Sequence, residues 1–314
     1  MTKYSIVVPI YNSEKSLVEL YNRIKNVFEN TIKSDFELIL VDDFSKDSSF
    51  AIMTQLHNQD NRIIAIQLSK NCGQHPAILC GMKYASGNYI VTMDDDLQHP
   101  PEEIPKLIKA IESSNDYDII IGRYESKKHN LIRNWGTKLS GYVSYRCYGK
   151  PRDLELTSFR IMKRDVVKAL LSLNVDSPRI GNLLLQINGR IGNTLVEHDE
   201  RKYGKSGYTF KRLIKDLFNN LLSNSGFPLI LVRNIGIGSL GISVLLGFII
   251  LIRYFVKGTS IIGWTSLVLL FLFYGGLILF ALGITGDYLM RIMNESKKMP
   301  NYYIREVLSK ENIE

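Results

Sequence analysis

The chain has 314 residues, 45% of them hydrophobic, and a formal net charge of +8. That length allows one large domain or two ordinary ones, and the charge points to an anionic partner: nucleic acid, anionic lipid or a phosphorylated substrate. Cys72, Cys80 and Cys147 make an odd set without CxxC spacing, which argues against a disulfide framework or a structural zinc site and favours a reducing compartment.

The opening MTKYSIVVPIYNSE has only a short apolar run before Asn12 and Glu14, so it reads as a first strand rather than a signal peptide. Strand-like runs rich in Val and Ile follow at 4–9, 36–41, 63–68, 89–93 and 118–122. Helical patterns separate them. Leu17, Leu20, Tyr21, Ile24, Val27 and Phe28 recur at helical spacing, and Pro101 opens a helix through Ile104, Leu107, Ile108 and Ile111. This alternation predicts an α/β fold with a mostly parallel sheet covered on both faces. Ligands of such sheets bind beyond the carboxyl ends of the strands. Two acidic clusters fall there, Asp42-Asp43 and Asp94 to Asp96.

From 133 to 197 the pattern is less regular, with one further strand expected at 159–162. Phe210, Leu213, Ile214, Leu217, Phe218 and Leu221 then form an apolar stripe with Lys211, Arg212 and Lys215 off it. That pattern suits a helix lying in a membrane interface; an amphipathic helix packed on the domain is the alternative. The run 235–252 is uncharged and of about the minimum spanning length, and 261–286 is longer. Two such runs in series predict two membrane helices. Basic residues cluster at 201–233 and 291–305, with only Arg253 and Lys257 between the runs, so both termini are expected in the cytoplasm. Arg233, near the start of the first run, reads as a snorkelling cation. The expected division is a catalytic domain at 1–207, an interfacial helix at 208–226, a membrane hairpin at 227–286 and a cytoplasmic tail at 287–314.

The segment TMDDDLQHPPEE, residues 92–103, concentrates negative charge where a strand ends. If it stays extended, Asp94, Asp96 and Gln98 share one face and Asp95 points away. Two carboxylates and an amide oxygen are hard ligands suited to Mg²⁺ or Mn²⁺ with water and phosphate completing the shell. A solvated acidic turn explains the cluster equally well when it is taken alone.

Five motifs occur in order: VVPIYNSE, VDDFSKDSS, NCGQHPAILCG, MDDDLQHPPEE and IIIGR. Together they resemble glycosyltransferase family 2, whose aspartate-any-aspartate motif matches Asp94 and Asp96. ERKYGKSGYTF and GITGDYLMRIMNESKKMPNYYI narrow the resemblance to polyprenyl-phosphate glycosyltransferases, a group with bactoprenol glucosyltransferases, aminoarabinose transferases and dolichol-phosphate mannose synthases. The resemblance implies the GT-A nucleotide-diphospho-sugar fold and a Mg²⁺- or Mn²⁺-dependent hexosyltransferase of the inner membrane. It also implies a homo-oligomer, with a nucleotide-diphosphate sugar, a polyprenyl phosphate lipid and the membrane as partners and no nucleic acid.

By the same resemblance, Pro9, Tyr11, Asn12, Glu14, Asp42, Asp94 and Asp95 serve the nucleotide, and Asp94, Asp96 and Gln98 hold the metal. Asp96, Arg123, Arg201 and Lys205 are the expected catalytic set. Arg133, Ser158, Arg160, Arg201, Lys205 and Ser206 are expected at the acceptor phosphate. These types suit the task, since Arg matches phosphate oxygens bidentately and Lys supplies a point charge. The chain departs from the family in placing Ser13 before Glu14, and in carrying Ser158 where some bactoprenol members have aspartate. A dedicated base is dispensable, because a phosphate monoester is already largely anionic above its second pKa of about 6. UDP-glucose is the donor expected first, with an aminoarabinose donor suggested by NCGQHPAI. A processive polysaccharide synthase is disfavoured because neither Trp135 nor Trp264 follows an arginine. A non-catalytic nucleotide sensor is the alternative of another class. Cys72, His75 and Cys80 lack an evident fourth ligand for zinc, and His99 is expected only to border the pocket.

Overall fold

The computed structural model describes residues 2–113, 116–124, 151, 154–173, 178–187, 190–199 and 300–309, together with isolated positions between 252 and 292. The chain divides into two compact units, 1–207 with 298–314, and 208–297.

The first unit is built on β1 (Tyr4–Ile10), β2 (Phe36–Asp42), β3 (Ile63–Leu68) and β4 (Tyr89–Thr92). β1 pairs in parallel with β2 on one side and β4 on the other, and β2 pairs in parallel with β3. Parallel strands need crossovers, and helices that cover both faces make such strands apolar almost throughout. The alternation along β1 shows this directly. Ile6, Val8 and Ile10 pack with α1 (Leu17–Asn26), α2 (Ser49–Gln59) and α4 (Ile104–Glu112), whereas Val7 joins the opposite core with α3 (Gln74–Tyr84). α3 lies very close to the sheet at Gly81. A Cβ there would meet Val7 Cγ1 at 2.5 Å, so a larger residue would push the helix away.

The strand expected at 159–162 is β6 (Arg160–Lys163), and it changes the sheet. It inserts antiparallel between β4 and β5 (Ile119–Tyr124), which are therefore not neighbours. β7 (Ile191–Val196), which periodicity did not reveal, runs parallel to β5. α5 (Arg164–Ser172) and α6 (Ile180–Gln186) add Val167, Leu170, Leu183 and Leu184 to the second core. The first helical stripe also departs from expectation. α1 gives way to a π-helical turn, Val27–Ile32, although Val27 and Phe28 are buried as the spacing required.

The segment expected as a tail contributes β8 (Ile304–Leu308), antiparallel on β3. Ser69 N–H donates to Tyr303 O at 2.8 Å, continuing the contact beyond the strand. Without β8, β3 would present an unpaired edge, the usual template for unwanted strand addition.

In the second unit, residues 281–286 are helical and Thr285 Oγ1 donates to Ala281 O at 2.9 Å. Val256, Leu267, Phe271, Leu282 and Ile292 are all exposed there. Among the described residues no helix is long and apolar enough to cross a membrane. The expected interfacial helix at 208–226 lies outside the described residues, as does most of the expected hairpin.

Candidate active site

The chain leaves β1 for β2 on one side and returns to β4 on the other, so the strand order reverses between β1 and β4. Loops leaving the two strands diverge and open a crevice at their carboxyl ends. Pro9 stands at this opening. The β1–β4 ladder ends at Val7↔Thr92, so Pro9 has a strand partner only in Val41 of β2, and its missing N–H is tolerated.

The loop after β1 is tied to the loop after β2. Asn12, with φ of 54°, donates its N–H to Ser45 Oγ at 2.9 Å, and its Oδ1 accepts Lys46 N–H at 2.9 Å. Glu14 Oε2 accepts Ser48 N–H at 3.1 Å, while Glu14 N–H donates to Asp47. Both side chains expected at the nucleotide therefore shape the rim of its crevice. Tyr11 is 48% exposed and available to a ligand face. Asp42 is placed differently from expectation. It is fully buried, and its oxygens accept Ser45 N–H at 3.1 Å and Gln67 Nε2 at 3.2 Å. Asp43, to which the sequence attached no role, accepts the N–H groups of Cys72 and Gly73 at 2.6 and 2.8 Å. It thereby fixes the turn at Gly73, whose φ of 93° suits glycine, and sets the start of α3.

After Thr92 the acidic segment bends instead of continuing extended, and Leu97 has φ of 61°. The separation of the aspartates nevertheless follows the expected sense. Asp95 faces the β1 loop, accepting Tyr11 N–H at 3.1 Å and the Ser13 hydroxyl, and burial pushes its pKa up to about 6. This carboxylate staples the two loops across the switch point. Asp94 faces the other way, where Oδ1 accepts Gln74 Nε2 and Oδ2 accepts Ser158 Oγ–H at 2.7 Å. Asp96 Oδ1 accepts Gln98 N–H at 3.1 Å, the local turn that lifts the acidic loop.

Among the described residues no three His, Cys, Asp or Glu side chains gather as a metal cage. A Mg²⁺ site does not need one, because this ion is commonly held by one or two carboxylates and completes its shell with water and substrate phosphates. The half-buried carboxylates of Asp94 and Asp96, with Gln98 folded back beside Asp96, fit that pattern.

The far wall comes from β5, β6 and the segment after β7. Arg123 is exposed at the end of β5, with Nε 3.5 Å from Glu155 Oε1. Ser158, expected at the acceptor phosphate, spends its hydroxyl on Asp94. Arg160, expected there too, is only 2% exposed. Its side chain is enclosed among the strands, and Arg160 stands opposite Thr92 in the β4–β6 ladder. His99 is buried and stacked between Tyr124 and Phe159, and its Nδ1 accepts Asp94 N–H at 3.4 Å. Burial lowers its pKa to about 4. Asp199 N–H donates to Gln98 O and Glu197 N–H to Glu103 Oε2, both at 3.0 Å. The chain leading towards Arg201 is thus docked beside the acidic loop at residues 197–199. Arg133, Arg201, Lys205 and Ser206 lie outside the described residues. Gln74, Ser13 and Asp43 were missed as site residues, although their positions beyond carboxyl ends of strands were a usable signal.

A mostly parallel sheet with an oxygen-rich crevice at its switch point is the arrangement of a ligand-binding α/β domain, and comparison with known proteins assigns it the GT-A nucleotide-sugar transferase fold. A profile described as Glycosyl transferase family 2 matches residues 5–171, and the chain belongs to that family. It is 33% identical to the undecaprenyl-phosphate 4-deoxy-4-formamido-L-arabinose transferase of Pseudomonas fluorescens over 97% of this chain and 90% of that protein. It is equally 33% identical to the uncharacterized glycosyltransferase YkcC of Bacillus subtilis, over 99% and 95% of the two chains. Among solved structures, glucosyl-3-phosphoglycerate synthase of Mycobacterium tuberculosis, in complex with Mn²⁺, UDP and phosphoglyceric acid, aligns with a TM-score of 0.52 at 16% identity. That alignment covers 71% of this chain and 78% of the synthase and supports the fold alone.

Proposed function

We propose that this protein transfers a sugar from a nucleoside-diphosphate donor to the phosphate of a polyprenyl lipid at the cytoplasmic face of the membrane. The observation that carries the reading is the near full-length likeness to undecaprenyl-phosphate sugar transferases, with the Asp94–Asp96 crevice intact at the switch point. UDP-glucose is the donor expected from the sequence, but the names of the relatives favour a 4-formamido-arabinose donor.

In the proposed reaction the bond between the anomeric carbon and the donor diphosphate breaks, and its electron pair leaves with the nucleoside diphosphate. An acceptor phosphate oxygen forms the new bond from the opposite face, inverting the centre. Mg²⁺ or Mn²⁺ held by Asp94, Asp96 and Gln98 would supply positive charge to the diphosphate. Tyr11 and the rim built by Asn12 and Glu14 receive the nucleotide. Arg123, with Arg133, Arg201 and Lys205 from outside the described residues, offsets the charge of the two phosphates as they meet, and Ser206, also outside them, offers a hydroxyl donor. Ser158 acts through Asp94, whose orientation it holds. Its hydroxyl is not a general base, and the acceptor phosphate carries its own negative charge.

The test is a panel of nucleotide sugars incubated with the membrane-embedded protein and undecaprenyl phosphate. Formation of a sugar-linked lipid from one donor is expected; no lipid product from any of them would overturn the reading.

The hairpin has a structural argument behind it. β8 pairs with β3 in the same sheet, so any crossings between 208 and 297 must be even in number. Exposed Leu267, Phe271 and Leu282 on that segment suit contact with lipid. A reporter at Gly258 is therefore expected outside the cell, and one after Glu314 in the cytoplasm. Labelling of both on the same side would remove the hairpin.

A further inference from the structure

Among the described residues, two buried nitrogen atoms near the acidic crevice have no hydrogen-bond partner, His75 Nδ1 and Arg160 Nη1. They come from distant parts of the chain, the first turn of α3 and the start of β6. Both border Asp94. Gln74, the residue before His75, donates to one Asp94 oxygen, and Ser158, two residues before Arg160, donates to the other. Arg160 itself feels the charge of Asp94, and His75 feels that of Arg160.

Buried polar atoms are nearly always satisfied, and leaving them unmade is costly. Neither atom is explained by the fold. α3 would keep its place through Gly81 and the turn anchored by Asp43 without an imidazole at 75. A guanidinium 2% exposed is equally out of place in a sheet floor that needs no cation.

We propose that His75 and Arg160 read a hydroxyl or amide group on the sugar of the donor and determine which sugar is accepted. This assignment rests on the transferase reading above. Arg160 Nη1 can only donate a hydrogen bond, so its partner must bring an oxygen. A ring hydroxyl accepts from the arginine while donating to a ring nitrogen, and a formamide oxygen with its N–H can serve the same pair. Burial, with the charges of Arg160 and Arg179, lowers the His75 pKa to about 4. The imidazole is consequently neutral at neutral pH, with one nitrogen left to accept. A site built to satisfy a substrate polar group discriminates strongly against an analogue lacking it, because its own buried groups then go unpaired. Gln74 on Asp94 links this reader to the metal-facing carboxylate, placing recognition of the sugar beside the diphosphate it must leave.

The experiment compares binding of UDP and of the best nucleotide sugar from the panel to detergent-solubilised full-length protein with Mn²⁺, by calorimetry. His75→Leu is expected to weaken the nucleotide sugar about tenfold and leave UDP unchanged, as loss of one hydrogen bond to the sugar requires. His75→Asn, whose Oδ1 lies roughly where Nδ1 does, should recover most of that affinity. Equal weakening of both ligands, or of neither, overturns the assignment and leaves water or packing as the partner of the two nitrogens. If the leucine chain does not fold, the wild type decides the matter with donors each lacking one ring polar group. One donor should lose about tenfold, and a flat series overturns the proposal. A folded wild type that binds no nucleotide sugar instead overturns the transferase reading itself.

Discussion

Asp96→Ala is expected to abolish sugar transfer while the protein stays folded. Asp96 is half-buried and accepts the local bond from Gln98 N–H. Asp94 and Asp95, by contrast, tie the acidic loop to Gln74, Ser158, Tyr11 and Ser13. Losing the Asp96 carboxylate should change stability by about 1 kcal/mol, the usual scale for one half-buried hydrogen-bonded group. Its effect on the reaction is far larger. A departing nucleoside diphosphate accumulates negative charge, and metal-borne stabilisation of such charge amounts to several kcal/mol, or roughly a thousandfold or more in rate. Transfer assays paired with thermal unfolding would separate the two effects. Chelation should reproduce the loss and added Mg²⁺ or Mn²⁺ should reverse it. Full activity in excess chelator would remove the metal from the proposal.

Arg201→Ala and Lys205→Ala should each cost roughly a hundredfold to a thousandfold in transfer to the lipid, with nucleotide affinity largely retained. Their segment, RKYGKSGY, follows directly on Glu197 and Asp199, which are hydrogen-bonded to the loop carrying Asp96 and Gln98. It also precedes the amphipathic stripe beginning at Phe210. A polyprenyl phosphate cannot rise far from the membrane, since each CH₂ drawn out of hydrocarbon costs about 0.8 kcal/mol. Cations that in sequence follow the docked residues 197–199 and precede that stripe are thus suited to meet the acceptor phosphate. Two anionic groups approach each other in the reaction, so a missing cation is felt most in the transition state. Calorimetry with UDP and a lipid-transfer assay test the two halves of the prediction. Normal transfer in both variants would move the acceptor site elsewhere.

The five leading strands were legible because Val- and Ile-rich runs buried on both sheet faces leave an unambiguous pattern. So was the place of the candidate site, since both acidic clusters stand at the carboxyl ends of β2 and β4. β6 was read as a strand but not as a neighbour of β4, because antiparallel insertion depends on a partner 70 residues earlier in the chain. β7 and β8 escaped notice for a related reason. β7 is only partly apolar and β8 half-exposed, and what makes each a strand is the ladder it joins.

The same division holds at the site. The sequence by itself showed that Asp94 to Asp96 gather hard oxygen ligands, and its five ordered motifs carried the resemblance to glycosyltransferase family 2. Only the tertiary structure decided which carboxylate does what. Bends after Thr92 and left-handed Leu97 aim Asp95 at Tyr11 and Ser13, while Asp94 meets groups from α3 and from the segment before β6. It also buried Asp42 and Arg160, both expected to face ligands, and left His75 and Arg160 each with a nitrogen unpartnered among the described residues. Composition and local spacing report what a residue can offer. Whether that offer is already taken depends on partners brought in by the fold from 20 to 82 positions away, and no local pattern encodes them.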